Sequence, residues 1–283
     1  MNIGIVGLGL MGGSFCLTLK RSGEHVVYGL DASARVMAKA ELMKAIDFVL
    51  TIENAKELDM IVFAVYPDAF KKVAEEFLPH LKDGAVVTDF CGIKRGIVRK
   101  MKGFSKDYPS LVFVGGHPMA GREFSGIEHS TAGLFERASM ILVPVNADIF
   151  ALDSVKKFFL SLGFSRVEIT TADNHDETIA YTSQLCHVIS NAYVKNEQAE
   201  KHAGYSAGSF RDLSRVARLN PEMWAGLMTE NADKLKPELD EFIANLQKYS
   251  EALGKGDGEG LKKLLSEGNE RKIAIDFRST KKD

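Results

Sequence analysis

The sequence predicts an α/β fold, with an N-terminal Rossmann-type doubly wound sheet over residues 1–168 and an all-helical C-terminal domain over 169–283. Three observations predict it. Short continuous apolar runs alternate with helical stretches through the first half, as strands buried on both faces alternate with their crossover helices. The chain opens on an apolar run closed by Gly7-Leu8-Gly9-Leu10-Met11-Gly12, the strand-to-helix turn that suits a dinucleotide. Beyond Thr170 the segments have helical spacing and no convincing strand.

The first strand covers 3–6. Gly7 makes the tight turn, Gly9 lets the backbone approach a pyrophosphate, and Gly12 lets the next helix pack on the strand. That helix, with Phe15, Leu17 and Leu19, presents its N-terminus to phosphates. A second strand, 26–30, ends in Asp31, where a ribose-binding acid belongs, and favours NAD. Ser33 and Arg35 leave NADP use open, since an arginine there holds a 2′-phosphate. A helix over 34–44 precedes a β-branched strand at 59–65. Tyr66-Pro67-Asp68 ends that strand and starts a helix carrying Phe70, Val73, Phe77 and Leu81. Residues 85–89 read as a strand, 93–101 as a helix, and 111–114 as a strand ending in Gly115-Gly116-His117-Pro118. Strands at 140–143 and 166–169 flank a helix over 149–162. Ligands of such sheets gather at the carboxyl ends of strands, which puts Tyr66, Asp89 to Lys94 and His117 along one crevice.

In the helical half, the run 173–196 sets Ile179, Cys186, Ile189 and Tyr193 on one face. Pro221 suits the first turn of a helix reaching about Asn231. Pro237 starts or kinks the next helix, with Leu239, Phe242, Ile243 and Leu246. Glycines at 254, 256, 258 and 260 suggest a flexible joint before a short helix over 261–269, and the tail 278–283 is expected to fray. Such helices bury little alone, so this half packs on the first half, on a second subunit, or on both.

Hydrophobic residues make up 45% of the chain and charged residues 26%, with a formal net charge of −2, which gives no general attraction to nucleic acid or an anionic membrane. Cys16, Cys91 and Cys186 lie far apart, which fits a reducing compartment without a disulfide framework or zinc site. No leader or spanning segment is visible, so a cytoplasmic protein is expected.

Three polar clusters carry the chemistry. Gly115 to Glu123 holds His117 at a strand end. His175-Asp176 precedes Ser183-Gln184-Leu185-Cys186-His187, in which Ser183, Gln184 and His187 share a helical face. Metal ligation by His175 and His187 fits poorly, because their spacing is wide and no acid shares the face. In Gly208 to Arg215, Arg211 and Arg215 stand one turn apart, either as a salt-bridged surface or as a carboxylate clamp.

Together these segments resemble the prephenate/arogenate dehydrogenases of tyrosine biosynthesis. The resemblance runs through Gly7 to Ser14, Asp89 to Lys94, the His-Pro-x-Ala-Gly-x-Glu segment at 117–123, His175-Asp176 and Ser183 to His187, then Gly208 to Ala217 and Pro221 to Trp224. It implies an NAD-dependent oxidoreductase that removes hydride from ring C4 of a cyclohexadienol, prephenate or arogenate, and releases the ring carboxylate as CO₂. His117 would accept a hydrogen bond from the C4 hydroxyl, which requires a neutral imidazole. Arg215 would bind a substrate carboxylate, with His187 near the substrate and His175 orienting the site. Catalysis is thus assigned to His117, His187 and Arg215. Gly7, Leu8, Gly9, Leu10, Met11, Gly12, Asp31, Val65, Tyr66 and Asp89 are expected to hold NAD. Gly92, Lys94, His117, His187, Arg211 and Arg215 are expected to meet the substrate. A homodimer through the helical domain is also implied, and a fused mutase or regulatory module is not expected.

One departure matters. Many members have serine in Asp-x-x-Ser-x-Lys, bonding the catalytic histidine and substrate, where this chain has Gly92. A water or Ser125 is the expected replacement partner of His117. Two other readings compete. A two-domain hydroxyacid or imine dehydrogenase would need a catalytic lysine in the helical half, where Lys195 is the nearest candidate. A catalytically silent nucleotide sensor would bind NAD without turnover.

Overall fold

The computed structural model describes residues 1–280. Met1–Asn231 form one compact unit and the chain from Ala232 onward forms another.

The first unit is organised by one eight-stranded sheet, in the order β3-β2-β1-β4-β5-β6-β7-β8. The strands are β1 (Asn2–Val6), β2 (Val26–Leu30), β3 (Phe48–Val49), β4 (Met60–Phe63), β5 (Val86–Asp89), β6 (Val112–Pro118), β7 (Ser139–Pro144) and β8 (Arg166–Ile169). Helices α1 (Leu10–Ser22), α2 (Ala34–Leu42), α3 (Pro67–Phe77), α4 (Arg95–Asp107) and α5 (Ile149–Ser161) form the crossovers. Strand alternation divides the core between the two faces of the sheet. Met60 and Val62 join Phe15, Phe90 and Phe159 on one face, while Ile61 and Phe63 join Phe70 and Phe113 on the other. Phe15 is fully buried and meets Phe90 edge-on at 4.9 Å and Phe135 at 5.9 Å.

The pairings are parallel except that of β6 with β7. Between those two strands lies only a 3₁₀ turn (Ile127–His129) and no full crossover helix, so the chain returns beside β6 in the opposite sense. This pairing also carries β6 through His117 to Pro118, beyond the expected end at residue 114. The edge strand β3, two residues long, is too short to leave a pattern in the sequence.

Beyond β8 the first unit is helical, with α6 (Ala172–Ile179), α7 (Cys186–Tyr193), α8 (Gly208–Ser214) and α9 (Pro221–Glu230). Pro221 starts α9 as expected, with Asn220 as its N-cap. The run 173–196 is not one uniform α-helix. A π-helical segment, Ala180–Leu185, separates α6 from α7. Each residue added by such a widened turn rotates the rest of the helix by about 100°. The expected stripe therefore breaks. Ile179 is buried, but Cys186 is exposed and Tyr193 is 41% exposed, while Gln184, Leu185 and Ser190 face inward.

In the second unit, α10 (Ala232–Lys255) holds Pro237 within its length, and α11 runs over Gly258–Thr280. The expected flexible joint is a tight turn. Gly256 takes φ 63°, Asp257 N–H donates to the Ala252 carbonyl at 2.9 Å, and Asp257 Oδ1 accepts from Gly260 N–H at 2.8 Å. A left-handed glycine thus ends one helix and an aspartate caps the next, so the short helix expected at 261–269 is much longer. Of the tail expected to fray, residues 278–280 continue α11 and the rest lies outside the described residues. Among the described residues no helix is long and apolar enough to cross a membrane.

Candidate active site

The ends of β1, β4, β5 and β6 lie along one edge of the sheet, because these strands are mutually parallel. At β1, Gly7 has φ 90°, and a Cβ there would lie 2.5 Å from the Ala64 carbonyl oxygen. A Cβ on Gly12 would lie 1.8 Å from the Gly7 carbonyl oxygen, so α1 can sit this close to the turn only with glycine. A Cβ on Gly9 would meet nothing within 4 Å. Each glycine thus has the surroundings its expected task requires. Gly9 is the N-cap of α1 and supplies no side-chain cap, which leaves first-turn N–H groups for an anion. Asp31 Oδ2 accepts from Leu8 N–H at 2.8 Å and Oδ1 from Ser33 N–H at 2.9 Å, which fixes the carboxylate at the end of β2. Val65 borders Gly7 and Tyr66 is 59% exposed at the end of β4. This cradle, open at Gly9 and closed at Gly7 and Gly12, fits a dinucleotide.

A second feature of the cradle has no signature in the sequence. Ser130 Oγ lies 3.3 Å from the Gly9 carbonyl and 3.2 Å from that of Leu10, sharing its hydrogen between them, and Thr131 N–H donates to Ser14 Oγ at 3.0 Å. The segment after the His117 loop is therefore stitched to the first turn of α1. Ser130 Oγ also stands 2.5 Å from where a Gly13 Cβ would be, which explains the second glycine of the pair.

His117 is half-buried at the end of β6. Its Nδ1 lies 2.9 Å from His175 Nε2, and His175 Nδ1 lies 2.7 Å from Asp176 Oδ1. Asp176 Oδ1 also accepts from Lys94 N–H at 2.7 Å, and Oδ2 from Arg95 N–H at 2.8 Å and Arg95 Nε at 3.2 Å. One carboxylate from α6 thus caps α4 from outside and holds His175. Asn231, fully buried, donates to the Asp176 carbonyl at 2.9 Å and to Gln184 Oε1 at 2.8 Å, tying the π segment to the same hub.

Asp89 and Lys94 do something other than expected. Both side chains are fully buried and ion-paired with each other. Asp89 Oδ1 accepts from Gly116 N–H at 3.0 Å and Oδ2 from Cys91 N–H at 2.8 Å. The pair therefore clamps the end of β5 to the residue before His117, and neither side chain is free for cofactor or substrate. Removing one partner of such a pair costs about 3–5 kcal/mol, because the other charge stays buried.

The remaining residues are more open. The His187 ring stacks on Trp224 at 4.0 Å, and its Nδ1–H donates to the Ser183 carbonyl at 2.9 Å, leaving Nε2 as an acceptor. Arg215 pairs with Glu123 at 3.1 Å, and the Arg218 guanidinium lies 5.8 Å above the Phe124 ring. The loop after His117 is thereby linked to the segment beyond α8. Arg211 is largely exposed and only loosely paired with Asp212 at 3.9 Å. Lys195 is exposed. Gly92 does not require glycine sterically, since a Cβ would stand 3.6 Å from Leu227 Cδ1 and its φ is ordinary. Gly92→Ser is therefore expected to leave stability unchanged or raise it by up to about 1 kcal/mol, as at positions compatible with a side chain. A fall of several degrees in a thermal melt would contradict this.

Burial, then the charges of His175 and Lys94, hold His117 well below the ordinary 6.5. Burial also lowers His175 against the opposing pull of Asp176, and lowers His187 with a further contribution from Arg215. Burial alone would raise the Asp176 carboxyl, but the bonds from His175, Arg95 and Lys94 hold it below 3.8. The folded chain resists protonation of these three histidines more than the unfolded chain does, so below pH 6.5 the unfolded chain binds protons first and stability falls with falling pH. Each such group contributes at most about 1.4 kcal/mol per pH unit in that window. The melting temperature should drop between neutrality and about pH 5, and a flat profile would show that these rings are not held neutral.

The sequence matches two family models, described as prephenate dehydrogenase, nucleotide-binding domain, over residues 15–168, and prephenate dehydrogenase, dimerization domain, over residues 171–267. It is 32% identical to cyclohexadienyl dehydrogenase of Zymomonas mobilis, over 97% of this chain and 96% of that one. Similar solved structures include prephenate dehydrogenase from A. aeolicus in complex with hydroxyphenyl propionate and NAD+, with a TM-score of 0.83 and 29% identity over 97% of this chain and 98% of that one. Arogenate dehydrogenase of Synechocystis gives a TM-score of 0.78 and 26% identity over 97% of this chain and 100% of that one.

Proposed function

The chain belongs to the prephenate dehydrogenase family, and from that premise we propose that it oxidises prephenate to 4-hydroxyphenylpyruvate with NAD⁺ and releases the ring carboxylate as CO₂. The observation that carries the reading is His117, held by His175 at the strand edge that also carries the glycine cradle. NAD⁺, when bound, supplies the hydride acceptor. The N–H groups opening α1 and the space at Gly9 would hold its pyrophosphate, and Asp31 its ribose. A carboxylate at Asp31 disfavours a 2′-phosphate, so NAD is preferred to NADP.

His117 takes the proton of the C4 hydroxyl, which lets the hydroxyl carbon become a carbonyl as hydride departs. The carboxylate then leaves as CO₂, its bonding electrons complete the aromatic ring, and the C4 oxygen, now a phenolate, takes its proton back from the His117 imidazolium. Arg215 and Arg211 supply the cations for substrate carboxylates, and His187 presents Nε2 from the face of Trp224. Residues 1–168 serve the cofactor and 169–283 the substrate and the second subunit. Large apolar side chains that a single chain leaves open, among them Leu246, Leu253 and Leu265, support a homodimer through the helical half. Light scattering on the purified protein should give twice the chain mass. Free cysteines, two of them buried, support a cytoplasmic location.

The test is reduced-cofactor absorbance with NAD⁺ and either prephenate or arogenate, repeated with NADP⁺. Turnover is expected with prephenate and NAD⁺. Arogenate turned over faster than prephenate would make the chain an arogenate dehydrogenase. Tight NAD⁺ binding with no turnover of either substrate would overturn the reading.

A further inference from the structure

We propose that His175 and Asp176 fix which nitrogen of His117 carries its proton, and so leave the other nitrogen bare to act as the base. The inference rests on the dehydrogenase reading only for its catalytic consequence, since the geometry stands without substrate. Among the described residues no other group bonds the His117 ring.

Asp176 Oδ1 is an acceptor, so neutral His175 carries its hydrogen on Nδ1, 2.7 Å away. That leaves His175 Nε2 as a lone pair. His117 Nδ1, 2.9 Å from it, must then be the donor, and His117 Nε2 is left bare to accept a hydroxyl proton. Asp176 is itself held by Lys94 N–H and Arg95 N–H, so the chain of bonds is anchored on the backbone at the start of α4. The other charged groups facing the pair are Lys94 and Asp89, which are ion-paired with each other. When His117 takes the proton at Nε2, its Nδ1–H strengthens toward His175, whose own Nδ1–H leans on Asp176. The positive charge is met by a carboxylate two rings away, and no proton leaves the site. His175 and Asp176 are positioning residues, acting through His117.

The test reads the tautomer directly. Two-bond ¹H–¹⁵N correlation spectra at about pH 8, above the ordinary histidine range, should show His117 protonated at Nδ1, its signals assigned by their loss in His117→Gln. In His175→Phe the pattern should move toward protonation at Nε2. There kcat/KM should fall about 10²-fold, the lower end for a misplaced acid–base group, while NAD⁺ affinity is unchanged. His175→Gln, whose amide oxygen can accept the Nδ1–H, should keep the tautomer and recover most of the rate. If His175→Phe does not fold, the wild type and His175→Gln decide the matter. A proton on Nε2 of His117 in the wild type, or a tautomer unmoved by His175→Phe, would overturn the proposal. Absence of turnover alongside the expected tautomer would count against the dehydrogenase reading and leave this assignment standing.

Discussion

Replacing His117 with alanine is expected to lower kcat and kcat/KM together by about 10²–10⁴-fold, the range for loss of a positioned general base. The loss should fall on the chemical step. His117 sits half-buried at the carboxyl end of β6, held neutral by burial, and among the described residues the one group bonded to its ring is His175. The ring takes no part in the glycine turn or in the Asp31 bonds, so NAD⁺ affinity should stay near the wild-type value. A variant that bound NAD⁺ normally and still turned over within a few-fold of wild type would remove His117 from the mechanism. The folded base should also stay neutral well below pH 6.5, so the acid limb of kcat/KM should lie on the acid side of that value.

Gly12→Ala should have the other large effect, and on binding. Its Cβ would stand 1.8 Å from the Gly7 carbonyl oxygen and 3.2 Å from Ala64 Cβ, and the first of these is backbone that cannot swing aside. Gly7 is fixed in turn by its N–H bond to the Leu30 carbonyl at 2.8 Å. Helix α1 must move off the sheet or the turn must open, at a cost of about 1–3 kcal/mol in stability. Either movement misaims the N–H groups that would meet the pyrophosphate, so the NAD⁺ Kd should rise at least about tenfold, the equivalent of 1.4 kcal/mol. Gly9→Ala is the control. Its Cβ meets no protein atom within 4 Å, so the melting temperature should hold while NAD⁺ binding falls, because the methyl group occupies the cofactor's space. Wild-type affinity in Gly12→Ala, by calorimetric titration, would sink the account.

Much of the fold and the cofactor cradle is legible in the sequence because it depends on neighbours along the chain. The glycine turn, the second strand with Asp31 at its end, and the N-terminal position of Pro221 each declare themselves within a few residues. The features the pattern hides depend on partners far along the chain. Asp89 and Lys94 read as site residues because they are polar and stand at a strand end. Only the fold shows that they neutralise each other in the interior and hold Gly116. Ser125, expected beside a water as a partner for His117, is close in sequence, whereas the side chain that bonds it is His175, brought across from α6. The signal that could have found it is the adjacent His175-Asp176 pair, an imidazole beside the carboxylate that can orient it. Ser130 and Asn231 give no signal, since a hydroxyl or an amide announces a buried bond only once its neighbour is known.

The π segment at 180–185 has a consequence for how this site could arise or be lost. Helical phase is cumulative, so residues after the segment keep the direction that its residue count gives them. No substitution within α7 can restore the phase of an uninterrupted α-helix, whereas deleting a single residue from the segment would turn α7 relative to α6 by about 100°, while α9 stays bonded to Gln184. His187 would leave the face of Trp224 with its side chain unchanged. The placement of this histidine is therefore a matter of length as well as of residue identity. Among variants of this chain, single-residue deletions between 180 and 185 are expected to do more harm to the site than most exchanges of the side chains they displace.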